Sequence, residues 1–122
     1  MKSQIDALRQ LTHELLYLGM DGEPIYADRF RQLNSDVYNQ AEALYQKKAR
    51  NDEEEATLCV TLLKAYSATI YDRGDKGGKV QILLDRSWEV LNKISDSLLK
   101  CQLLVVCYGE TVSYTHLTLP TN

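Results

Sequence analysis

The sequence predicts an all-α protein, a small bundle or stack of about five antiparallel helices. Apolar residues recur at three- and four-residue steps through most of the first 110 positions, which is the spacing of a buried helix face. The polar and glycine-containing segments between these runs are short, so consecutive helices should be antiparallel neighbours. With 44% hydrophobic and 25% charged residues among 122, the composition is that of a globular domain with a real core. A tetratricopeptide-like stack of hairpins is one form of this architecture, although the signature residues of that repeat are absent.

The first two helices are separated by a turn rich in glycine. A helix is predicted from about Gln4 to Leu18, with Ser3 as its N-cap and with Gly19 and Gly22 ending it. The second is predicted from Tyr26 or Ala27 to Ala49. Acidic residues near its start and basic residues near its end suit the helix dipole.

The third predicted helix, from Asn51 or Asp52 to about Tyr71, is largely apolar from Ala56 to Ile70 and should be the central helix. A fourth is predicted from about Lys79 to Ile94, with Trp88 in register with its apolar face. A fifth begins near Ser95 or Ser97 and runs to Tyr108. It is apolar nearly all round, so we expect it to have neighbours on several sides.

Three cysteines, Cys59, Cys101 and Cys107, lie in apolar runs. An odd number of cysteines without an export signal predicts reduced thiols, and free cysteine in such runs behaves as a small core residue. No second pair of histidine or cysteine residues completes a zinc site.

The last twelve residues, Thr111 to Asn122, differ from the rest because none of them is charged. Their β-branched and aromatic residues favour a strand. The ten residues from Val112 to Thr121 resemble the translation of a transposase adapter used in sequencing libraries. We therefore predict a single helical domain over residues 1–110, a non-native tail over 111–122, and a native chain that is truncated at about Glu110.

The sequence argues against several classes of function. His13 is the sole histidine outside the tail, and no nucleophile, paired acids or metal-ligand motif accompanies it. We therefore predict no enzyme activity, no metal and no cofactor. The net charge of −3 and the pI of about 5.3 argue against direct nucleic-acid binding. Absence of a signal peptide or of an apolar run of ~20 residues predicts a cytoplasmic protein without a membrane span.

Two kinds of exposed cluster are candidates for contacting another protein. Tyrosine, arginine and aspartate flank two loops, which suits an interface, although ordinary helix-end hydrogen bonding explains them equally well. Three consecutive glutamates open the third helix, where they provide either an acidic contact surface or a solvated helix start. The candidate contact residues are Tyr26, Asp28, Arg29, Glu53, Glu54, Glu55, Tyr71 and Asp72.

Three stretches resemble one known family. They are LLYLGMDGEPIYADRFR at residues 15–31, ATIYD at residues 68–72 and SLLKCQLLV at residues 97–105. Together they resemble the UpxZ family of transcription antiterminator antagonists, encoded in Bacteroidales-type capsular polysaccharide loci. The resemblance implies a regulatory protein that binds and inhibits NusG-like antiterminators of the UpxY type from other loci, without a small-molecule substrate. The alternative is a helical adaptor with an unrelated protein partner.

Overall fold

The described part of the chain consists of five helices and contains no strand. The computed structural model describes residues 1–20, 22, 24, 26–70 and 74–118, with the backbone alone for residues 111–118. The helices are α1 (Lys2–Leu16), α2 (Ala27–Tyr45), α3 (Asp52–Ala68), α4 (Lys76–Leu91) and α5 (Leu98–Thr118). The predicted all-α class and number of helices are confirmed.

Helix α3 is the centre of the fold, because it packs against each of the other four helices. Its residues from Ala56 to Tyr66 are buried except at Thr57 and Lys64. Asn51 caps the helix by accepting a 2.8 Å hydrogen bond from the backbone N–H of Glu54, which satisfies one of the open donors of the first turn. The apolar run therefore forms the middle of the core, as the sequence predicts.

The hairpin of α1 and α2 also follows the predicted pattern. Ile5, Leu8 and Leu15 of α1 are buried, and they fall at the spacing of one helix face. Gly19 has a φ of 85°, a conformation that glycine adopts without steric cost. This glycine allows the chain to leave α1 and turn back into α2.

Several predicted helix ends are wrong by a few residues. Helix α2 ends at Tyr45 and not at Ala49, and α3 ends at Ala68 before the predicted Tyr71. Helix α4 begins at Lys76, three residues before the predicted start, so Gly77 and Gly78 lie in its first turn. Most backbone N–H groups of a first turn have no acceptor within the helix, whichever residues occupy it.

Three residues that were predicted to be core lie at the surface. Ile70 is 68% exposed because α3 ends before this residue. The extended backbone at Thr69 takes Ile70 away from the buried face of the helix. Trp88 is 38% exposed because the neighbouring Ser87 and Val90 lie on the buried face of α4 instead. Cys101 is exposed, whereas Cys59 and Cys107 are buried as predicted.

The strand that propensity favours at the C-terminus is not formed in residues 111–118. The backbone of α5 stays helical to Thr118. A helix satisfies its backbone hydrogen bonds within its own segment, whereas a single strand needs a partner strand. Continuation of α5 is therefore the conformation that needs no other chain.

None of the helices in the described ranges is long and apolar enough to cross a membrane.

Candidate protein-binding surfaces

The connections α1–α2 and α3–α4 lie at the same end of the structure, because consecutive helices pack as antiparallel neighbours. We call this region the loop end and define it by the described residues on either side of the two connections, 16–20, 26–30, 68–70 and 74–76. It carries five large, exposed apolar side chains: Leu16, Tyr17, Met20, Tyr26 and Ile70. Clusters of exposed apolar and aromatic side chains are typical of protein-binding surfaces.

Both sides of the α3–α4 connection are held by contacts from the helices. Asn34 of α2 accepts a 2.8 Å hydrogen bond from the backbone N–H of Ile70, and Lys76 donates a 2.8 Å bond to the carbonyl of Thr69. The Tyr38 hydroxyl donates to Asp75. That bond, together with Lys79, lowers the pKa of the Asp75 carboxyl. The described residues on either side of 71–73 are thus fixed to the helical scaffold.

The predicted contact residues at this end have different surroundings. Tyr26 is 68% exposed at the start of α2, and Asp28 is exposed in the first turn. Arg29 is exposed too and lies 3.5 Å from a carboxylate oxygen of Glu14. Tyr71 and Asp72 lie outside the described residues. The structure therefore brings the first three together on one exposed helix start.

The three glutamates occupy the opposite end, since they open α3 and the loop end follows its last residue. The 17 residues of α3 correspond to a separation of about 25 Å. Glu53 is exposed. Glu54 accepts bonds from the backbone and side chain of Arg50, which lower its pKa. Glu55 forms an ion pair with Arg86 of α4, so two of the three carboxylates are already paired within the fold.

A polar network joins α2, α3 and α4 beneath the loop end. The hydroxyl of buried Tyr66 donates a 2.7 Å bond to Glu42, whose other carboxylate oxygen binds Lys79. Lys79 also lies 3.1 Å from Asp75. Burial lowers the pKa of Lys79, but its two carboxylate partners outweigh that effect and the pKa is raised. The network is paired internally and links the core to the anchor of the α3–α4 connection.

A groove between α1 and α5 is a feature that sequence reasoning missed. Both helices pack on α3, but in the described part of the chain they do not contact each other. The resulting depression has a volume of about 1150 Å³ and opens towards the loop end at Leu16 and Tyr17. Such a groove depends on contacts distant in sequence, and no local pattern indicates it. Its lining includes Arg9 and His13 of α1, Val60 and Lys64 of α3, and Gln102 and Val106 of α5.

A smaller depression of about 610 Å³ lies at the other end, beside the α2–α3 connection. Lys47, Lys48 and Arg50, the basic residues that follow α2, line it. Arg50 is paired with Glu54, and the neighbouring Arg86 is paired with Glu55. Internal ion pairs therefore neutralise part of the positive charge here.

Within the residues that the structure describes, no group of three or more histidine, cysteine, aspartate or glutamate side chains could hold a metal ion. His13 is exposed and packs against the ring of Tyr17, with centroids 4.4 Å apart. This environment suits a surface contact.

Comparison with known proteins identifies the family. Residues 5–109 match the UpxZ family of transcription anti-terminator antagonists. The chain belongs to the UpxZ family. A crystal structure of a transcription anti-terminator antagonist UpxZ from Bacteroides uniformis has 40% sequence identity and a TM-score of 0.79. The match covers 92% of this chain and 69% of that one. A comparison with curated proteins gave no match.

Family membership agrees with the sequence resemblance and with the five-helix fold. The UpxZ family is one of regulatory antagonists and not of enzymes. In the described residues, the loop end combines exposed apolar side chains with an adjoining groove, and an antagonist contacts its target through surfaces of this kind.

Proposed function

We propose that this UpxZ-family chain binds NusG-like antiterminators of the UpxY type that belong to other capsular polysaccharide loci, and that binding inhibits them. Membership of the antagonist family over residues 5–109 is the observation that carries the proposal. An antagonist needs a surface and discrimination between similar partners, and discrimination is a difference of affinities. The cytoplasm, where transcription takes place, is the proposed location.

The proposed contact surface is the loop end. Its exposed apolar side chains are bordered by Asp28 and Arg29, and an apolar centre with a polar border is the usual organisation of a binding surface. Tyr71 and Asp72 belong to this proposal because their neighbours Ile70 and Thr69 are held in place there. Glu53 is a separate and weaker candidate at the other end of α3.

We further propose that residues 1–110 are the functional domain and that 111–122 form a non-native tail. The match to the family ends at residue 109, and the uncharged segment begins two residues later. Binding should therefore be unaffected by replacing Tyr114 or His116 with alanine. A loss of binding in either variant would contradict this assignment.

The function is tested by calorimetric titration of the chain into purified NusG-like antiterminators from the same genome. We expect binding to antiterminators of other loci and weak or no binding to that of its own locus. In a transcription assay, the bound antiterminators should no longer allow RNA polymerase to read through the transcribed leader at the start of a capsular polysaccharide locus. A folded chain that binds none of them would refute the proposal and leave the helical adaptor with an unrelated partner.

The surface is tested by Tyr26→Ala. Truncation of a central interface tyrosine should weaken binding by about tenfold or more. The matched control is Tyr108→Ala on α5, which removes a tyrosine that is 58% exposed, compared with 68% for Tyr26. If Tyr108→Ala weakened binding and Tyr26→Ala did not, the contact surface would lie on α5 and not at the loop end.

A further inference from the structure

Helix α2 holds the chain at the point where it leaves the central helix. The side chain of Asn34 is buried, and it accepts a 2.8 Å hydrogen bond from the backbone N–H of Ile70. Ile70 is the second residue after α3, and its side chain is 68% exposed at the loop end. A buried amide on one helix thus fixes the backbone from which an exposed apolar side chain projects.

The burial of Asn34 makes this contact costly to break. Only 3% of Asn34 is exposed, and a buried polar group that loses a hydrogen-bond partner destabilises the fold. Movement of the Ile70 backbone away from α2 would separate the donor from its buried acceptor. The position of Ile70 is therefore coupled to the packing of α2 on α3.

The start of α4 is held from the same face of α2. Tyr38 follows Asn34 by one helical turn, and its hydroxyl donates to the carboxylate of Asp75. Asp75 is the N-cap residue of α4, but its side chain makes no cap hydrogen bond to the first turn of that helix, all of which is described. Its carboxylate instead binds Tyr38 and lies 3.1 Å from Lys79. An N-cap aspartate usually serves its own helix, whereas this one joins two helices.

A third contact joins the end of α3 directly to the start of α4. Lys76 donates a 2.8 Å hydrogen bond to the carbonyl of Thr69. Thr69 is itself buried, and its hydroxyl donates to the carbonyl of Tyr66. All of these contacts lie between residues 34 and 79, and none of them involves α5. They form one set of anchors that belongs to α2, α3 and α4.

We propose that Asn34 is a positioning residue of the loop end, which holds Ile70 where a protein partner contacts its side chain. This role rests on the proposed function, in which the partner is an antiterminator. A contact side chain whose backbone is already fixed loses less freedom on binding, and this preorganisation raises the affinity. Asn34 is too deeply buried to contact the partner itself, so its effect on affinity should act through Ile70.

The test compares Asn34→Ala with Asn51→Ala. Each substitution removes an asparagine that accepts a 2.8 Å bond from a backbone N–H, but Asn51 lies at the other end of α3. The variants are titrated calorimetrically into an antiterminator that the parent chain binds. We expect Asn34→Ala to weaken binding by about fivefold or more, and Asn51→Ala by less than about twofold.

Circular dichroism verifies that each variant is folded, so that a loss of global stability alone does not alter the measured affinity. Asn34→Ser, whose shorter side chain does not reach the Ile70 N–H, is a second variant and should show the same loss of affinity.

The substitution Ile70→Ala shows whether the effect acts through Ile70. It should itself weaken binding by about tenfold, as truncation of a contact residue does. Adding Asn34→Ala to Ile70→Ala should change the affinity by less than about twofold, because residues that act as a unit are not additive. A residue with a general structural role would instead weaken binding equally in both backgrounds.

Hydrogen exchange of the unbound chain provides a readout that needs no partner. The backbone N–H of Thr69 bonds to the carbonyl of Ala65, and this acceptor remains in Asn34→Ala. Exchange of the Thr69 amide should become faster by about fivefold or more in Asn34→Ala and stay unchanged in Asn51→Ala. Faster exchange would therefore report movement of the segment and not the loss of an acceptor.

Failure of this role can be distinguished from failure of the proposed function. A folded parent chain that binds no antiterminator would refute the proposed function, and this role of Asn34 with it. If the parent chain binds and Asn34→Ala binds equally well, the role of Asn34 alone is overturned. Unchanged exchange of Thr69, or an effect of Asn34→Ala that persists in full in the Ile70→Ala background, would overturn it too.

Discussion

The Tyr66 hydroxyl offers the sharpest test of how the core and the loop end are joined. Tyr66 is fully buried on α3, and its hydroxyl donates a 2.7 Å hydrogen bond to Glu42 of α2. The substitution Tyr66→Phe removes this hydroxyl and keeps the ring, which packs edge-on against Tyr38 with centroids 5.9 Å apart. Volume and aromatic packing are therefore nearly unchanged, and the loss is confined to one hydrogen bond.

The expected loss follows from the surroundings of Glu42. A hydrogen bond to a charged group contributes about 1.5–3 kcal/mol to stability. The Glu42 side chain is 21% exposed and keeps its ion pair with Lys79, so water and Lys79 compensate for part of the loss. We therefore expect Tyr66→Phe to lower the free energy of unfolding by about 1–2 kcal/mol, which corresponds to a decrease in Tm of about 5 °C for a domain of this size.

The measurement is urea unfolding followed by circular dichroism, with Tyr108→Phe as the control. Tyr108 is 58% exposed, so loss of its hydroxyl should change stability by less than ~0.5 kcal/mol. A double-mutant cycle with Glu42→Ala, which removes the acceptor, should give a coupling energy of about 1 kcal/mol. Equal stability of Tyr66→Phe and the parent chain, or a coupling energy near zero, would show that this hydrogen bond does not stabilise the fold.

Three further outcomes are expected. Asn51→Ala should destabilise the chain by about 1 kcal/mol in the same unfolding assay, because the cap of α3 is lost; an unchanged unfolding midpoint would contradict that role. The pKa of Glu54 is lowered from 4.5 in the folded chain, mainly by hydrogen bonds from Arg50. The ionised Glu54 therefore stabilises the fold above its unfolded pKa, and this stabilisation is lost as the pH falls through the folded pKa. Unfolding measurements across acid pH should show a smaller pH dependence of stability for Glu54→Gln than for the parent chain. A thiol reagent should label Cys101 quickly in the native chain. Labelling of all three cysteines should require unfolding, because Cys59 and Cys107 are buried and burial raises the pKa of Cys59 to about 11 and that of Cys107 as well; equal native rates for the three would contradict the packing of α3 and α5.

The features that could be predicted from the sequence are those determined locally. The buried face of α1 follows from the spacing of Ile5, Leu8 and Leu15, and the N-terminus of α3 follows from Asn51 and the acids after it. Each depends on residues within one or two turns of the same helix. Local periodicity is therefore sufficient for the class, the number of helices and the central position of α3.

The features that could not be predicted depend on contacts between distant elements. The exposure of Trp88 depends on the rotation of α4 about its own axis where it packs on α3 and α5. The spacing of apolar residues along α4 is compatible with either Ser87 or Trp88 on the buried face, so the sequence alone does not determine which of them is exposed. The groove exists because α1 and α5 occupy separate sides of α3. The exposure of Leu98, Val105 and Tyr108 on α5 could not be predicted for the same reason, since apolar residues around a whole helix do not indicate which neighbours are present.

The fold also limits which side chains can distinguish one antiterminator from another. A side chain that is already paired inside the fold must give up that contact before it can serve a partner, so it contributes less to a difference of affinities. Glu54 and Glu55 are paired with Arg50 and Arg86, whereas Glu53 is exposed. We therefore expect Glu53→Gln, which removes the charge without placing a cation at the helix N-terminus, to test the acidic contact with little effect on the fold, whereas replacing all three glutamates would mix a loss of binding with a loss of stability.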